Sequence, residues 1–175
     1  MADPKTIKKA FERNVKALKL RPSIGQSTAR TRIKVRNGTT CEIESGSKRM
    51  TVDVGKDAGG NDAGPGPGIL ERAALGSCMA IGYATWAAHL EIPIDDIQIE
   101  VETDFDARGQ FGVADIPPGF KAIRYYVTIE SPAPEEDVRR LVEKADQYSP
   151  VLDDFQRAIP TQRELTIKST TKEVS

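Results

Sequence analysis

The residue best suited to chemistry in this chain is a cysteine inside a run of small and apolar residues. The stretch from Gly64 to Met79 reads GPGPGILERAALGSCM, and Cys78 is one of only two cysteines in the 175 residues. Such a thiol is either an inert core residue or a nucleophile held on a buried helix. Burial opposes formation of the reactive thiolate, so the second alternative requires a group that favours ionisation of the thiol. Composition alone favours the inert alternative.

Other chemistries find little support in the sequence. His89 is the single histidine and no Cys/His cluster exists, which argues against a zinc site and against a Cys-His couple unless His89 alone serves. The glycine-rich stretch from Lys56 to Gly68 lacks the residues of a phosphate-binding loop. The acidic residues Glu100, Glu102, Asp104 and Asp106 alternate along a predicted strand, as on a solvated face. We therefore expect no metal and no cofactor.

The overall charge excludes some classes of partner. The chain has 25 basic and 26 acidic residues, a net charge of −1, so no whole-chain field favours nucleic acid. No apolar run reaches transmembrane length and no signal-like segment is visible, so we expect no membrane contact and a reducing, cytoplasmic location. Basic residues are concentrated in the first 21 positions, which is typical of the polar face of a helix.

Periodicity predicts the elements that must position Cys78. Asp3-Pro4 begins and Arg21-Pro22 ends an amphipathic helix. Period-two alternation, with Asn37-Gly38 as a hairpin turn, predicts a three-stranded meander from Thr31 to Val54. The remaining predictions are a helix over 69–90, strands over 97–104 and 122–130, a helix after Pro134, a short helix over 151–157 and a last strand over 164–168.

The predicted helix that contains Cys78 is apolar around almost its whole circumference. Such a helix must be covered on every side, and short sheets in one chain supply little cover. Strands and helices also follow one another without a βαβ rhythm. The pattern predicts an α+β fold, and it favours a partner subunit.

Several motifs together resemble one known family. They are GPGPGxLxxAALGSC around Cys78, ExExDxDxRG from Glu100, IRYYVTIESPAPEE from Ile123 and ADQYSPV from Ala145. Their order and spacing are similar to those of the OsmC/Ohr family, the osmotically inducible and organic-hydroperoxide-resistance proteins. The likeness runs from about Thr31 to Ile167.

This resemblance implies a fold and an activity. It implies antiparallel sheets around a buried central helix in an intertwined α+β homodimer. It also implies thiol-dependent reduction of organic hydroperoxides and hydrogen peroxide, an oxidative-stress defence supplied with electrons by an external thiol or dithiol. The expected organisation is an N-terminal helix over 1–22, an OsmC/Ohr-like domain over 23–168 and a disordered tail over 169–175.

The resemblance also implies site residues. Its peroxidatic cysteine falls on Cys78, and its activating arginine falls on Arg36 in Arg36-Asn37-Gly38; Arg32, on the same strand face, is the reserve. Arginine suits the task because it stays charged and offers a planar fork of donors to sulfur and peroxide oxygen. Two departures stand out. Gly68 replaces the family's supporting glutamate, and Ser149-Pro150 replaces its resolving Cys-Pro pair.

Three functional hypotheses remain open. The first is a one-cysteine hydroperoxide reductase with Cys78 as nucleophile and Arg36 as activator; Cys41 is a possible resolving thiol. The second is a catalytically degenerate dimer that binds a small apolar ligand, favoured by the lost glutamate and lost cysteine. The third is a scaffold role through the basic first helix. We expect His89 and Trp86 to be structural.

Overall fold

The structure is a computed structural model that describes residues 3–168. The tail expected over 169–175 therefore lies outside the described residues. The helices are α1 (Pro4–Leu20), α2 (Pro67–Leu90), α3 (Ala107–Gln110), α4 (Glu135–Gln147) and α5 (Pro150–Gln156), with short 3-10 helices at Pro22–Gly25 and Lys56–Ala58. The strands are β1 (Arg32–Asn37), β2 (Thr40–Ser45), β3 (Lys48–Val52), β4 (Asp96–Phe105) and β5 (Phe120–Glu130).

Helix α1 begins at the predicted cap and packs on the C-terminal half of α2. The side chain of Asp3 accepts a hydrogen bond of 2.8 Å from the Thr6 backbone N–H, which satisfies one of the free donors of the first turn. Phe11 packs edge-on against Trp86, with ring centroids 5.1 Å apart. The basic first helix thus contributes one apolar face to the fold.

Strands β1, β2 and β3 form an antiparallel meander, which we call the projecting sheet. Asn37-Gly38 makes the first turn, with Gly38 at φ +56°, a conformation that glycine adopts without strain. The cross-strand register places Ile33 opposite Ile43, and Val35 opposite Cys41. Among the described residues the sheet makes no extensive contact with any helix, and Ile33, Val35 and Met50 on its apolar face are exposed.

The centre of the protein lies between α2 and the second sheet, in which β4 pairs with β5 antiparallel. The apolar side chains of both strands pack on Leu75, Met79 and Tyr83 of α2, which are almost fully buried. Helices α4 and α5 cover another side of α2 through Leu141, Ala145 and Leu152. We call this assembly of α2, α4, α5, β4 and β5 the helical core.

The observed elements confirm the predicted α+β class with antiparallel sheets. The last predicted strand, over 164–168, is wrong: this segment forms no ladder, and Leu165 and Ile167 are exposed. Alternation alone cannot make a strand where no neighbouring strand offers backbone partners. One chain does not cover the central helix on every side, because Ile69 and Ile81 of α2 are exposed, in line with the little cover expected from its short sheets.

Candidate functional site

Cys78 lies in the middle of α2, half-buried, with its sulfur directed at the corner between α4 and α5. The Cys78 Sγ is 3.8 Å from the Oγ of Ser149. Ser149 is only 6% exposed and is the N-cap of α5, where its Oγ accepts a hydrogen bond from the Leu152 backbone N–H. The serine that replaces the expected resolving cysteine thus faces Cys78 directly.

A close approach of α2 to β4 sets the depth of Cys78. A Cβ on Gly76 would lie 3.3 Å from Cγ2 of Val101 and 3.8 Å from Cγ2 of Ile99, which is tight for a side chain. Glycine at this position lets the helix lie against the sheet two residues before the thiol.

A second contact holds the same corner to α2. The hydroxyl of Tyr83, a fully buried residue, donates a 2.7 Å hydrogen bond to Oδ1 of Asp146 at the end of α4. Burial, followed by the hydrogen bond to this carboxylate, raises the pKa of Tyr83, so the hydroxyl remains a donor. Asp146 lies in the ADQYSPV motif, but its pairing with Tyr83 did not stand out in the sequence, because a pair 63 positions apart leaves no spacing pattern.

Asp53 is a further residue that the motifs did not reveal. It is 2% exposed, and its carboxylate accepts hydrogen bonds from the hydroxyls of Thr39 and Thr40 and from the backbone N–H groups of Val54, Asn61 and Ala63. The Thr39 hydroxyl is the largest of the effects that hold the pKa of Asp53 well below its usual range. Asp53 joins the projecting sheet to the loop that enters α2.

Arg36 lies on the projecting sheet, away from Cys78. Its Nε is 2.6 Å from Oε2 of Glu42 on the neighbouring strand, and both side chains are about half exposed. Arg32 stands opposite Glu44 in the same sheet. No hydrogen bond between either arginine and Cys78 occurs within residues 3–168. One chain alone therefore does not assemble the expected pair.

Cys41 also belongs to the projecting sheet. Its Sγ lies 3.6 Å from the carbonyl oxygen of Thr39, and both cysteines are free thiols. The group that faces Cys78 is a serine hydroxyl and not the thiol of Cys41.

Gly68, the departure from the family pattern near the start of α2, has simple surroundings. Gly68 is in the first turn, and a Cβ there would lie 3.7 Å from Nη1 of Arg72. Arg72 in turn donates a hydrogen bond of 3.2 Å to Oγ1 of Thr103 on β4. Glu71 is exposed, and no hydrogen bond connects it to Arg36 in the part of the chain described.

The remaining candidates have structural contacts. His89 packs against Phe11 with ring centroids 4.4 Å apart, and Trp86 stacks on Tyr148. Among the acidic residues, Asp104 pairs with Arg124, and Asp106 pairs with Arg108 and Lys121. The hydrogen bond from Arg108 is the main cause that lowers the pKa of Asp106.

An apolar groove lies between α1, the exposed side of α2 and the loop before β4, and its lining includes neither Cys78 nor Ser149. It encloses about 740 Å³. Its lining includes Ile7, Ala80, Ile81, Ala84 and Ile92. Across residues 3–168, no helix has the length and apolar character needed to span a membrane.

Solved structures share this fold. An OsmC-like protein from Mycoplasma pneumoniae has a TM-score of 0.64 at 17% identity, covering 75% of this chain and 89% of that one. An organic hydroperoxide resistance protein OsmC from Legionella pneumophila has a TM-score of 0.56 at 18% identity, covering 74% and 90%. An organic hydroperoxide resistance protein from Elizabethkingia anophelis, with thiocyanate bound, has a TM-score of 0.56 at 18% identity and covers 75% of this chain and 89% of that one. At such identities the likeness concerns the fold.

The class defined by these observations is an α+β protein with a cysteine on the central helix. No curated protein sequence matches the chain significantly. The model of the OsmC-like protein family, however, matches residues 59–164, more than half of the chain. The chain belongs to the OsmC-like protein family, and the predicted membership is confirmed.

Proposed function

We propose that the protein is a thiol-dependent hydroperoxide reductase in which Cys78 is the nucleophile. The main support is the 3.8 Å approach of the Cys78 sulfur to Ser149, the position to which the resemblance assigns the resolving cysteine. Two positions that are 71 residues apart and paired by the resemblance are therefore neighbours. Membership of a family whose relatives include organic hydroperoxide resistance proteins adds support.

The reaction has two stages. The Cys78 thiolate attacks the terminal oxygen of the hydroperoxide, an S–O bond forms as the O–O bond breaks, and the alkoxide leaves and takes a proton to become an alcohol. The resulting sulfenic acid condenses with an external thiol to give a mixed disulfide and water. A second thiol releases reduced Cys78 and a disulfide. Because position 149 carries no thiol, we assign resolution to the external reductant, in a reducing cytoplasm.

A second copy of the chain completes this proposed site. The uncovered apolar face of the projecting sheet and the uncovered side of α2, which includes Ile81, are complementary in character. A homodimer in which each sheet covers the other chain's α2 buries both surfaces. Arg36 lies beside Glu42 on the other face of the sheet, at the end of β1 where the register shifts, so it reaches Cys78 of the other protomer by leaving Glu42 and turning round the end of the strand. Its guanidinium stabilises the thiolate and orients the peroxide.

The test treats the reduced protein with cumene hydroperoxide and follows the product by intact mass and peptide mapping. We expect one added oxygen at Cys78, turnover when a dithiol is supplied, and loss of both in Cys78→Ser. Cys41→Ser is the matched control and should retain both. Arg36→Ala should slow oxidation by about tenfold or more, whereas Arg32→Ala, on the same face, should have a smaller effect.

The apolar groove favours one competing function, a module that binds a small apolar molecule. Its volume of about 740 Å³ is within the usual range for ligand sites. If Cys78 stays unoxidised in excess peroxide while an apolar fluorescent probe binds the groove, the reductase proposal is wrong and the binding function takes its place.

A further inference from the structure

We propose that the Ser149 hydroxyl donates a hydrogen bond to the Cys78 sulfur and stabilises its thiolate form. Ser149 is then a positioning residue for the nucleophile and not merely the remnant of a lost resolving thiol. The inference rests on the proposed function, because that function is what gives the thiolate a use. The hydrogen bond itself can be tested without peroxide.

The direction of this hydrogen bond follows from the other contact of Ser149. Its Oγ already accepts the backbone N–H of Leu152, so one of its lone pairs is occupied. The hydroxyl still carries one proton, and Ser149 is buried, where an unused donor is costly. Among residues 3–168, the sulfur of Cys78 lies 3.8 Å from this hydroxyl and is the acceptor available to that proton. The hydroxyl therefore donates to sulfur.

A donated hydrogen bond favours the ionised thiol. The bond to a thiolate is charge-assisted and stronger than the bond to a neutral thiol, so the equilibrium moves toward the thiolate. Three charged groups on the elements around Cys78 have other contacts. Lys144 lies over the rings of Trp86 and Tyr148, Asp146 accepts from Tyr83, and Arg72 donates to Thr103.

The more distant charges are also engaged. On α5, Asp153 and Asp154 pair with Arg157. On α1, Lys8 pairs with Glu91 at the far end of α2. On β4, Glu102 and Asp104 pair with Arg124 on the exposed face. Among the groups that one chain places around Cys78, the Ser149 hydroxyl is thus the polar donor in contact with sulfur.

The corner that carries Ser149 is held in place. The Ser149 backbone N–H donates to the Asp146 carbonyl at 3.2 Å, and the Asp146 carboxylate is bound by the Tyr83 hydroxyl. Leu152, one turn later, is buried in the core. Because α2 carries both Cys78 and Tyr83, two contacts join this corner to one helix. The hydroxyl is presented to the sulfur by a rigid support.

The test measures the rate of iodoacetamide alkylation of Cys78 against pH, resolved from Cys41 by peptide mapping, in the full-length reduced protein. In Ser149→Ala we expect the midpoint of the profile to rise by about half to one pH unit. The rate at neutral pH should fall about two- to tenfold. The plateau at high pH should not fall, because a thiolate that has lost a hydrogen bond is at least as nucleophilic.

Two further variants separate the hydrogen bond from the helix cap. Ser149→Gly keeps most of the capping preference without the hydroxyl, so it should reproduce the shifted midpoint even if Ser149→Ala folds poorly. Ser149→Thr keeps a hydroxyl and should remain near the parent profile. Asp3→Ala removes a cap from α1, where Asp3 binds the Thr6 N–H, and should leave the profile unchanged.

The outcomes distinguish this inference from the proposed function. An unchanged midpoint in both Ser149→Ala and Ser149→Gly overturns the inference, even if parental Cys78 is oxidised by peroxide and turns over. A uniform increase in alkylation rate at every pH also overturns it, since that indicates only greater exposure. A shifted midpoint in a parent protein that does not react with peroxide supports the hydrogen bond and removes the reductase function.

Discussion

The helical core and the projecting sheet differ in how much of their own apolar surface they cover. In the core, Leu75 is 1% exposed and Leu141 is fully buried. In the sheet, Ile33 is 57% and Val35 is 59% exposed. The sheet nevertheless has regular pairing, with alternating apolar and charged faces. The sequence of this sheet thus specifies an apolar face that one chain covers only in part, at Val52.

The comparison bears directly on the proposed site. The core contains Cys78 and the Ser149 hydroxyl in direct contact. The sheet contains Arg36, which is bound to Glu42. The proposed nucleophile therefore lies in the part of the chain that covers more of its own apolar surface, and its proposed activator lies in the part that covers less. A second copy of the chain would bring Arg36 and Cys78 together, so the proposed site would form only when the dimer forms.

The largest expected effect comes from breaking the proposed cover of the sheet. Ile33→Asp places a carboxylate in the apolar face, and burying an unpaired charge is costly. We expect self-association to weaken by about 100-fold or more, measured by sedimentation equilibrium. Peroxide oxidation of Cys78 should slow in parallel, because Arg36 is then no longer supplied by a partner.

Thr51→Asp is the matched control for that change. Thr51 lies on β3 opposite Glu42, on the charged face of the same sheet, and is exposed. It introduces the same carboxylate without entering the apolar face, so association should change little. A parent protein that remains monomeric at every concentration would contradict the proposed dimer, and the two variants would then behave alike.

A smaller effect is expected at the joint between the two regions, which is Asp53. Asp53→Asn keeps the shape but replaces one acceptor oxygen with a donor that faces hydroxyl and N–H donors. The hydrogen bonds, that from Thr39 first, lower the pKa of Asp53 in the folded state. Its ionised form therefore stabilises the fold above the unfolded-state pKa of about 4, and this stabilisation decreases as the pH falls below that value.

The measurement is the thermal midpoint of parent and Asp53→Asn between pH 8 and pH 3. The variant should be less stable, by a constant difference at neutral pH that becomes smaller below about pH 4. Asp57→Asn, a change at an exposed position in the same connection, should have almost no effect. A difference that is independent of pH down to pH 3 would exclude the assigned role of the Asp53 charge.

Local pattern was sufficient to predict most elements of both regions. Alternation and the Asn37-Gly38 turn predicted the meander, and the Asp3 cap predicted the start of α1. These features depend on neighbours in sequence. The predicted strand over 164–168 failed because a strand also needs a partner at a distance, which alternation does not supply.

Only those site residues to which the family resemblance assigns a role could be predicted from the sequence. The resemblance indicated Cys78 and the position of Ser149, and the structure places these two side chains in contact. The roles of Asp53, Tyr83 and Asp146 were missed, because each acts through a partner far along the chain; Asp146 lies in the ADQYSPV motif, but the motif does not reveal its partner. The roles of Arg36 and Cys41 stay predictions, since neither contacts Cys78 within one chain.

The smallest expected effect concerns a hydrogen bond within the helical core. Tyr83→Phe removes the hydroxyl that binds Asp146 and leaves that carboxylate without its donor. A hydrogen bond to a charged group contributes about 1.5–3 kcal/mol, so the free energy of unfolding should fall by about that amount in urea denaturation. Tyr148→Phe is the control, because Tyr148 is largely exposed and its ring can still stack on Trp86.

The same Tyr83→Phe variant shows whether the core holds the Cys78 site by itself. Loosening the corner between α4 and α5 should lower Cys78 alkylation at neutral pH, in the direction expected for Ser149→Ala but by less, because the hydroxyl remains. Self-association should be unaffected, since Tyr83 is fully buried within one chain. An equal loss of stability in Tyr83→Phe and Tyr148→Phe would contradict the role of Asp146 as the anchor of this corner.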